Sequence, residues 1–317
     1  MAKDKIPSII KKIQNHKPKE INYSIHKTIS YSQISMYMQC PKKWALQYKD
    51  GHKLFTSSIN TVFGTAIHET IQHYISELYN KSGAEADRID LEEYFENKFR
   101  EIYLEEYKSN KNTHFSNSEE MREFFDDGVA ILDFIKKKRS EYFGKRGWHL
   151  VGIELPIILS PDKRYNNILF NGYIDLVLYH EPTEKFIIYD IKTSTRGWGD
   201  REKKDELKQL QILVYKNYFS EQFGVPKENI DVEFFIVKRK IWEESEFPQK
   251  RIQIFSPANG KTKTNKAVTL VTQFIEETFN FDGTYKQTDY QAKPDKYNCT
   301  YCPFKNKKEL CNKAIFS

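Results

Sequence analysis

The sequence predicts an α/β protein: a sheet organised around one β-hairpin, amphipathic helices against it, and a Cys-rich segment near the end of the chain. Three observations predict it. Two short apolar runs, Ile168 to Tyr179 and Lys185 to Ile191, flank His180-Glu-Pro-Thr-Glu184, and the proline and polar residues between them read as a turn. Longer segments near 60–79, 91–107 and 118–143 repeat apolar residues at the helical period. Further strand-like runs at 148–159, 230–239 and 251–255 alternate with helical patterns at 200–219 and 259–280.

Composition permits a sizeable core. The chain has 317 residues, 39% hydrophobic and 15% aromatic, with 20 Tyr and 22 Phe, which excludes a disordered protein. No apolar run approaches membrane-spanning length, and Met1-Ala-Lys-Asp-Lys5 lacks the apolar segment of a signal peptide. A cytoplasmic location is expected, in a bacterium or in the host of a virus. The net charge of +6, from 50 basic and 44 acidic residues, favours a polyanionic partner only mildly. Its distribution is uneven: acids gather between Glu77 and Glu141, and lysines crowd Lys3 to Lys27 and Lys286 to Lys313. Four cysteines in such a chain suggest metal before disulfides.

Taken in order, residues 1–27 are Lys-rich with Pro7 and Pro18 and read as a basic arm, phosphate-contacting or simply solvated. Residues 28–317 are expected to form a single domain. Tyr31 to Cys40 and the stretch from Pro41 read as two short helices, the first capped by Ser32 and the second started by Pro41. In the helix from Asn60 to Tyr79, Ile67, Ile71, Tyr74, Ile75 and Leu78 form one stripe, and Gly64 and His68 lie one turn apart. Residues 81–147 form a helical insertion, with loops at 82–87 and 109–117. Trp148 to Leu159 is a strand that includes Glu154. After the hairpin, 193–199 is a loop, and the helix from Asp200 to Phe219 places Gln211 and Tyr215 one turn apart. Lys238-Arg-Lys240 and Lys261, Lys263 and Lys266 are candidate phosphate contacts, with solvated faces the commoner meaning of such runs. Residues 294–317 carry Cys299, Cys302 and Cys311 and are expected to pack with Cys40.

The chemistry concentrates on the hairpin. Alternation along a strand puts Asp190 and Lys192 on one face and Ile191 on the other, and a paired strand can bring Asp175 beside them. These charges sit in an otherwise apolar run, Phe186-Ile-Ile-Tyr-Asp190-Ile, where burial is costly unless the charge is paired or bound to metal. Two carboxylates and an ammonium suit Mg²⁺ or Mn²⁺ and metal-assisted phosphodiester hydrolysis. A surface hairpin with solvated charges is the plain alternative.

At these residues the chain resembles the PD-(D/E)XK nuclease superfamily, in its RecB-like branch. An acid on one strand, Asp175 in Gly172-Tyr-Ile-Asp175, precedes Asp190-Ile191-Lys192 on the next, and the resemblance extends over roughly residues 29 to 311. It implies a restriction-endonuclease-like mixed central sheet flanked by helices. Gly64-x-x-x-His68 resembles the branch's N-terminal element, which implies His68 as a ligand of the same metal, together with Asp175, Asp190 and the Ile191 carbonyl. Gln211-Ile-Leu-Val-Tyr215 resembles its Gln-x-x-x-Tyr motif, which implies contact with the active site and nucleic acid. Glu154 matches a glutamate often found on the preceding strand, with a supporting role at least as favoured as metal ligation.

One cysteine early and three late resembles the iron–sulfur nucleases of the superfamily, including AddB nuclease domains and CRISPR-associated exonucleases. This implies a [4Fe–4S] cluster on Cys40, Cys299, Cys302 and Cys311. Zinc, or no metal, stays open, because Pro303 to Leu310 make the last gap longer than is usual there. The implied activity is a Mg²⁺- or Mn²⁺-dependent DNA nuclease, acting as a single-strand exonuclease in recombination, repair or replication. The chain has no G-x-x-x-x-G-K-[ST] loop, so a helicase or recombination protein would supply unwinding. The alternatives are a non-catalytic DNA-binding scaffold, an RNA nuclease and a CRISPR spacer-processing enzyme.

Overall fold

The computed structural model describes residues 6–55, 57–144, 146–242 and 244–315. Residues 1–5 of the expected arm and 316–317 of the Cys-rich segment lie outside them. The elements run α1 (Ser8–Gln14), β1 (Lys27–Ile29), α2 (Tyr31–Gln39), α3 (Pro41–Trp44), α4 (Ile59–Asn80), α5 (Gly83–Arg88), α6 (Leu91–Ser109) and α7 (Ser118–Tyr142). Then come β2 (Trp148–Leu159), β3 (Ile168–His180), β4 (Lys185–Ser194), α8 (Asp200–Lys204), α9 (Glu206–Phe223), β5 (Ile230–Lys238), β6 (Ile252–Phe255), α10 (Lys261–Thr278) and α11 (Lys296–Thr300). Among the described residues no helix is long and apolar enough to cross a membrane.

The sheet has the order β1-β3-β4-β5-β6, with β2 also pairing β3. It is mixed: β1 with β3 and β4 with β5 are parallel, while β3 with β4 and β5 with β6 are antiparallel. This is the restriction-endonuclease-like α/β arrangement that the motif implied. The hairpin register ends on the pair Leu176–Tyr189, so Asp175 and Asp190 are the next residue on each strand where the ladder stops. The hairpin thus delivers both acids to one end without help from any loop.

The chain forms two compact units. One comprises Met1–His16, Ser57–Leu155 and Ile174–Asn259; the other comprises Lys17–Thr56, Pro156–Tyr173 and Gly260–Ser317. β2 and β3 each have residues in both.

In the first unit, α4 buries Val62, Phe63, Ile67, Ile71 and Ile75 against Leu176, Leu178, Tyr189, Ile191, Phe235 and Val237 of the sheet. The acidic helices α6 and α7 add Phe95, Phe99, Phe124 and Ile131 to the same core. They are therefore scaffold for α4. Packing between α6 and α7 is close enough that a Cβ at Gly128 would collide with the Phe95 ring. The other sheet face is covered by α9, where Phe219 meets Phe186. In the second unit, Trp44 is fully buried amid the edges of Tyr37, Phe274, Phe279, Tyr285 and Tyr290.

Several expectations need correction. The N-terminal segment is no loose arm over Ser8–Gln14: Ile10 and Ile13 are buried, and Gln14 donates to the carbonyls of Leu150 and Val151. Ser30, not Ser32, caps α2 by accepting from the Gln33 amide. The expected loop at 82–87 contains α5, with Ser82 as its cap. The helix expected over Asp200 to Phe219 breaks at Asp205, whose carboxylate caps α9 through the amides of Leu207 and Lys208. Arg239 and Lys240 pair with Glu123 and Asp127 of α7, which removes them as plain phosphate contacts.

Candidate active site

All seven side chains singled out for chemistry near the hairpin fall in the first unit, and the structure gathers most of them. Asp190 is 1% exposed and Asp175 9% exposed. Asp175 Oδ2 accepts from the Ile191 amide at 2.6 Å, so the backbone of one motif residue anchors the other motif acid. Lys192 Nζ lies 3.2 Å from Asp190 Oδ1 and 2.9 Å from Oδ2, and donates to Gln211 Oε1 at 2.8 Å. The Gln211 and Lys192 expectations therefore meet in a direct bond. Tyr215, one turn further along α9, is buried.

His68 arrives from α4, with Nε2 3.5 Å from Asp175 Oδ2 and 3.8 Å from Glu154 Oε1. Gly64, one turn earlier, passes so close to β4 that a Cβ there would stand 3.0 Å from Thr193 Oγ1. The Gly-x-x-x-His spacing thus has a steric reading: the glycine lets the helix approach the strand, and the histidine reaches the acids. Gly64 and His68 line an open groove with Asn60, Thr61, Thr65, Ile191, Lys192 and Thr193.

Glu154 is the residue whose role was left open. His68, Glu154 and Asp175 form a group whose potential ligand atoms all lie within 4.8 Å of one another. Glu154 reaches it through an unusual backbone: its φ is +48° in the middle of β2, a left-handed conformation that costs a non-glycine residue about 1–2 kcal/mol. Strain of that kind persists only where surrounding structure enforces it.

The electrostatics are those of a site short of positive charge. Burial, and then repulsion from Asp190, pushes the Asp175 carboxyl well above the usual carboxylate range. Burial raises Asp190 too, against the opposing pull of Lys192. Burial lowers His68, favouring the neutral imidazole that a metal needs. Asp190 Oδ2 is buried, with the Lys192 ammonium 2.9 Å away. Clustered carboxylates whose ionisation burial disfavours, and an imidazole lowered toward its neutral form, together fit a divalent cation with oxygen and nitrogen ligands.

Gln72 was missed by sequence reasoning. It follows His68 by one helical turn, and that spacing was the available signal.

The four cysteines lie in the second unit and line one cavity, together with Lys42, Lys43, Lys293, Lys313 and Phe304. None forms a disulfide. Burial raises the Cys302 thiol, and negative charge on Cys40 and Cys311 would raise it further. Asn298 Nδ2 donates to the Gln39 carbonyl, and the Lys293 amide approaches Cys40 Sγ at 3.5 Å, so the C-terminal segment docks at the α2–α3 junction.

The model of the PD-(D/E)XK nuclease superfamily matches residues 28–307. No curated protein matches the chain.

Proposed function

Because this chain belongs to the PD-(D/E)XK nuclease superfamily, we propose that it is a divalent-metal-dependent deoxyribonuclease, acting as an exonuclease on single-stranded DNA. The observation that carries this reading is the buried pairing of Asp175 and Asp190 with Lys192 bridging to Gln211 and neutral His68 against them. His68, Asp175 and Asp190, with Glu154 and the Ile191 carbonyl, would hold Mg²⁺ or Mn²⁺. Such an ion would polarise the scissile phosphate and ease deprotonation of the attacking water.

The chain's own groups do the rest. Lys192, fixed between Asp190 and Gln211, would hold the attacking water or donate to the charge developing on the phosphate. Gln211 holds that ammonium, and Tyr215 is buried one turn further along the same helix. The groove lined by Asn60, Thr61, Thr65 and Thr193 offers hydroxyls and an amide for a sugar–phosphate strand. The finer choice of single-strand exonuclease rests on the RecB-like form of the His68 and Gln211–Tyr215 motifs.

The cysteines would hold a [4Fe–4S] cluster as a structural element. Four free thiols line one cavity, with Lys42, Lys43, Lys293 and Lys313 also in its lining.

The test is end-labelled single-stranded DNA incubated with Mg²⁺, Mn²⁺ or EDTA. Mononucleotide release with metal, its loss in EDTA and its loss in Lys192→Ala are expected. Equal degradation by wild type and Lys192→Ala would overturn the assignment.

A further inference from the structure

Gln72 is 6% exposed and touches three of the groups around the site at once. Its Nε2 lies 2.6 Å from Glu154 Oε1, 2.9 Å from the Asp175 carbonyl oxygen and 2.9 Å from His68 Nε2. It therefore ties α4 to β2 and β3, and it contacts every member of the three-residue ligand group. An amide nitrogen has two hydrogens to give and cannot accept. The carboxylate and the carbonyl are pure acceptors, which fixes the nitrogen, rather than the amide oxygen, at this end of the side chain. Its two hydrogens go to those two acceptors, and the imidazole Nε2 lies against the same nitrogen.

Glu154 needs such a hold. Its side chain is 49% exposed, on a backbone turned to φ +48°. A half-exposed glutamate left to itself samples several rotamers and gives little to a shared site. The bond to Gln72 points its carboxylate at His68 and Asp175 rather than at solvent. We propose that Gln72 is a positioning residue that makes Glu154 a ligand of the divalent ion. The inference rests on the metal reading of the site given above and goes beyond it by assigning the residue on which the geometry of the ligand group depends.

The test is Mn²⁺ binding followed by electron paramagnetic resonance, which needs no turnover. It compares wild type, His68→Ala, Gln72→Met, Glu154→Gln and the Gln72→Met/Glu154→Gln pair, with melting temperatures alongside. Removing a group that orients a ligand weakens metal binding by about tenfold to a hundredfold. Gln72→Met should show that loss with a changed bound-Mn²⁺ spectrum. In the Glu154→Gln background the same substitution should cost less than about twofold, because the residue acts through Glu154. If Gln72→Met does not fold, Gln72→Asn keeps the amide one methylene too short and carries the same expectation. Wild-type affinity in the Gln72 variant, or losses that multiply in the pair, would overturn the inference while leaving the metal site standing. Equal Mn²⁺ binding by wild type and His68→Ala would instead overturn the metal reading, and the inference with it.

Discussion

The acid site and the cysteine segment are built on opposite principles. Around Asp190 the protein has already placed a partner for most polar atoms: Lys192 on Asp190, the Ile191 amide on Asp175, Gln72 on Glu154 and Gln211 on Lys192. These groups stand on long strands and helices with a large apolar core behind them. The segment 291–313 has one five-residue helix, otherwise turns, and only Cys299 and Phe304 are buried in it. Its three thiols line a cavity together with Cys40. The first site is held in place by the fold whether or not the proposed ion is bound. The second has little core of its own, so under the reading proposed above a group held by the thiols would supply much of its order.

The comparison can be broken most sharply at Asp190. Asp190→Asn removes the central carboxylate but also a buried charge, so hydrolysis should fall by about a thousandfold while the melting temperature holds or rises. A melt many degrees lower would mean that the acids are structural. Next in size is ligand stabilisation. Mn²⁺ at a hundred times its dissociation constant should stabilise the fold by about 2.7 kcal/mol, in wild type but not in His68→Ala. Calorimetry with and without EDTA reads this directly, and the metal-free protein should still melt cooperatively.

The cysteine segment should respond in the reverse sense. Cys299→Ser with Cys302→Ser should make trypsin cleave at Lys293, Lys296 or Lys305 about tenfold faster, a shift of ~1.4 kcal/mol in local opening, with residues 57–280 resistant. Resistance equal to wild type would show that the thiols hold nothing structural. The smallest effect belongs to Gly64→Ala. Its new Cβ would press on Thr193 Oγ1, a side chain that can turn away, so a loss of about 1 kcal/mol in metal binding is expected, relieved by Thr193→Ala.

Part of the acid site was legible from strand periodicity, which puts Asp190 and Lys192 on one face of an apolar run, while the places of Asp175, His68 and Gln211 were expected from the family resemblance and the hairpin register from the structure. Trp148–Leu159 was bounded correctly for the same reason. The residues that escaped depend on tertiary partners. Nothing in the sequence near Glu154 announces a left-handed backbone, and Gln72 looks like one more polar residue on a helix until β2 and β3 are laid against it. β1, three residues long, exists only by pairing with Ile168–Phe170. The helix break at Asp205 hides in a run of charged residues with good helix propensity, where a capping carboxylate outcompeted continuation. α1 fell within the expected basic arm because its two buried isoleucines, Ile10 and Ile13, lie among the many lysines of residues 3–27.

One measurement addresses the central claim without passing through turnover: anomalous diffraction from crystals of the intact chain soaked in Mn²⁺. The account predicts a peak about 2.1 Å from His68 Nε2 and from carboxylate oxygens of Asp175 and Asp190, absent from crystals of His68→Ala. A peak elsewhere, or full occupancy that persists without His68, would contradict it.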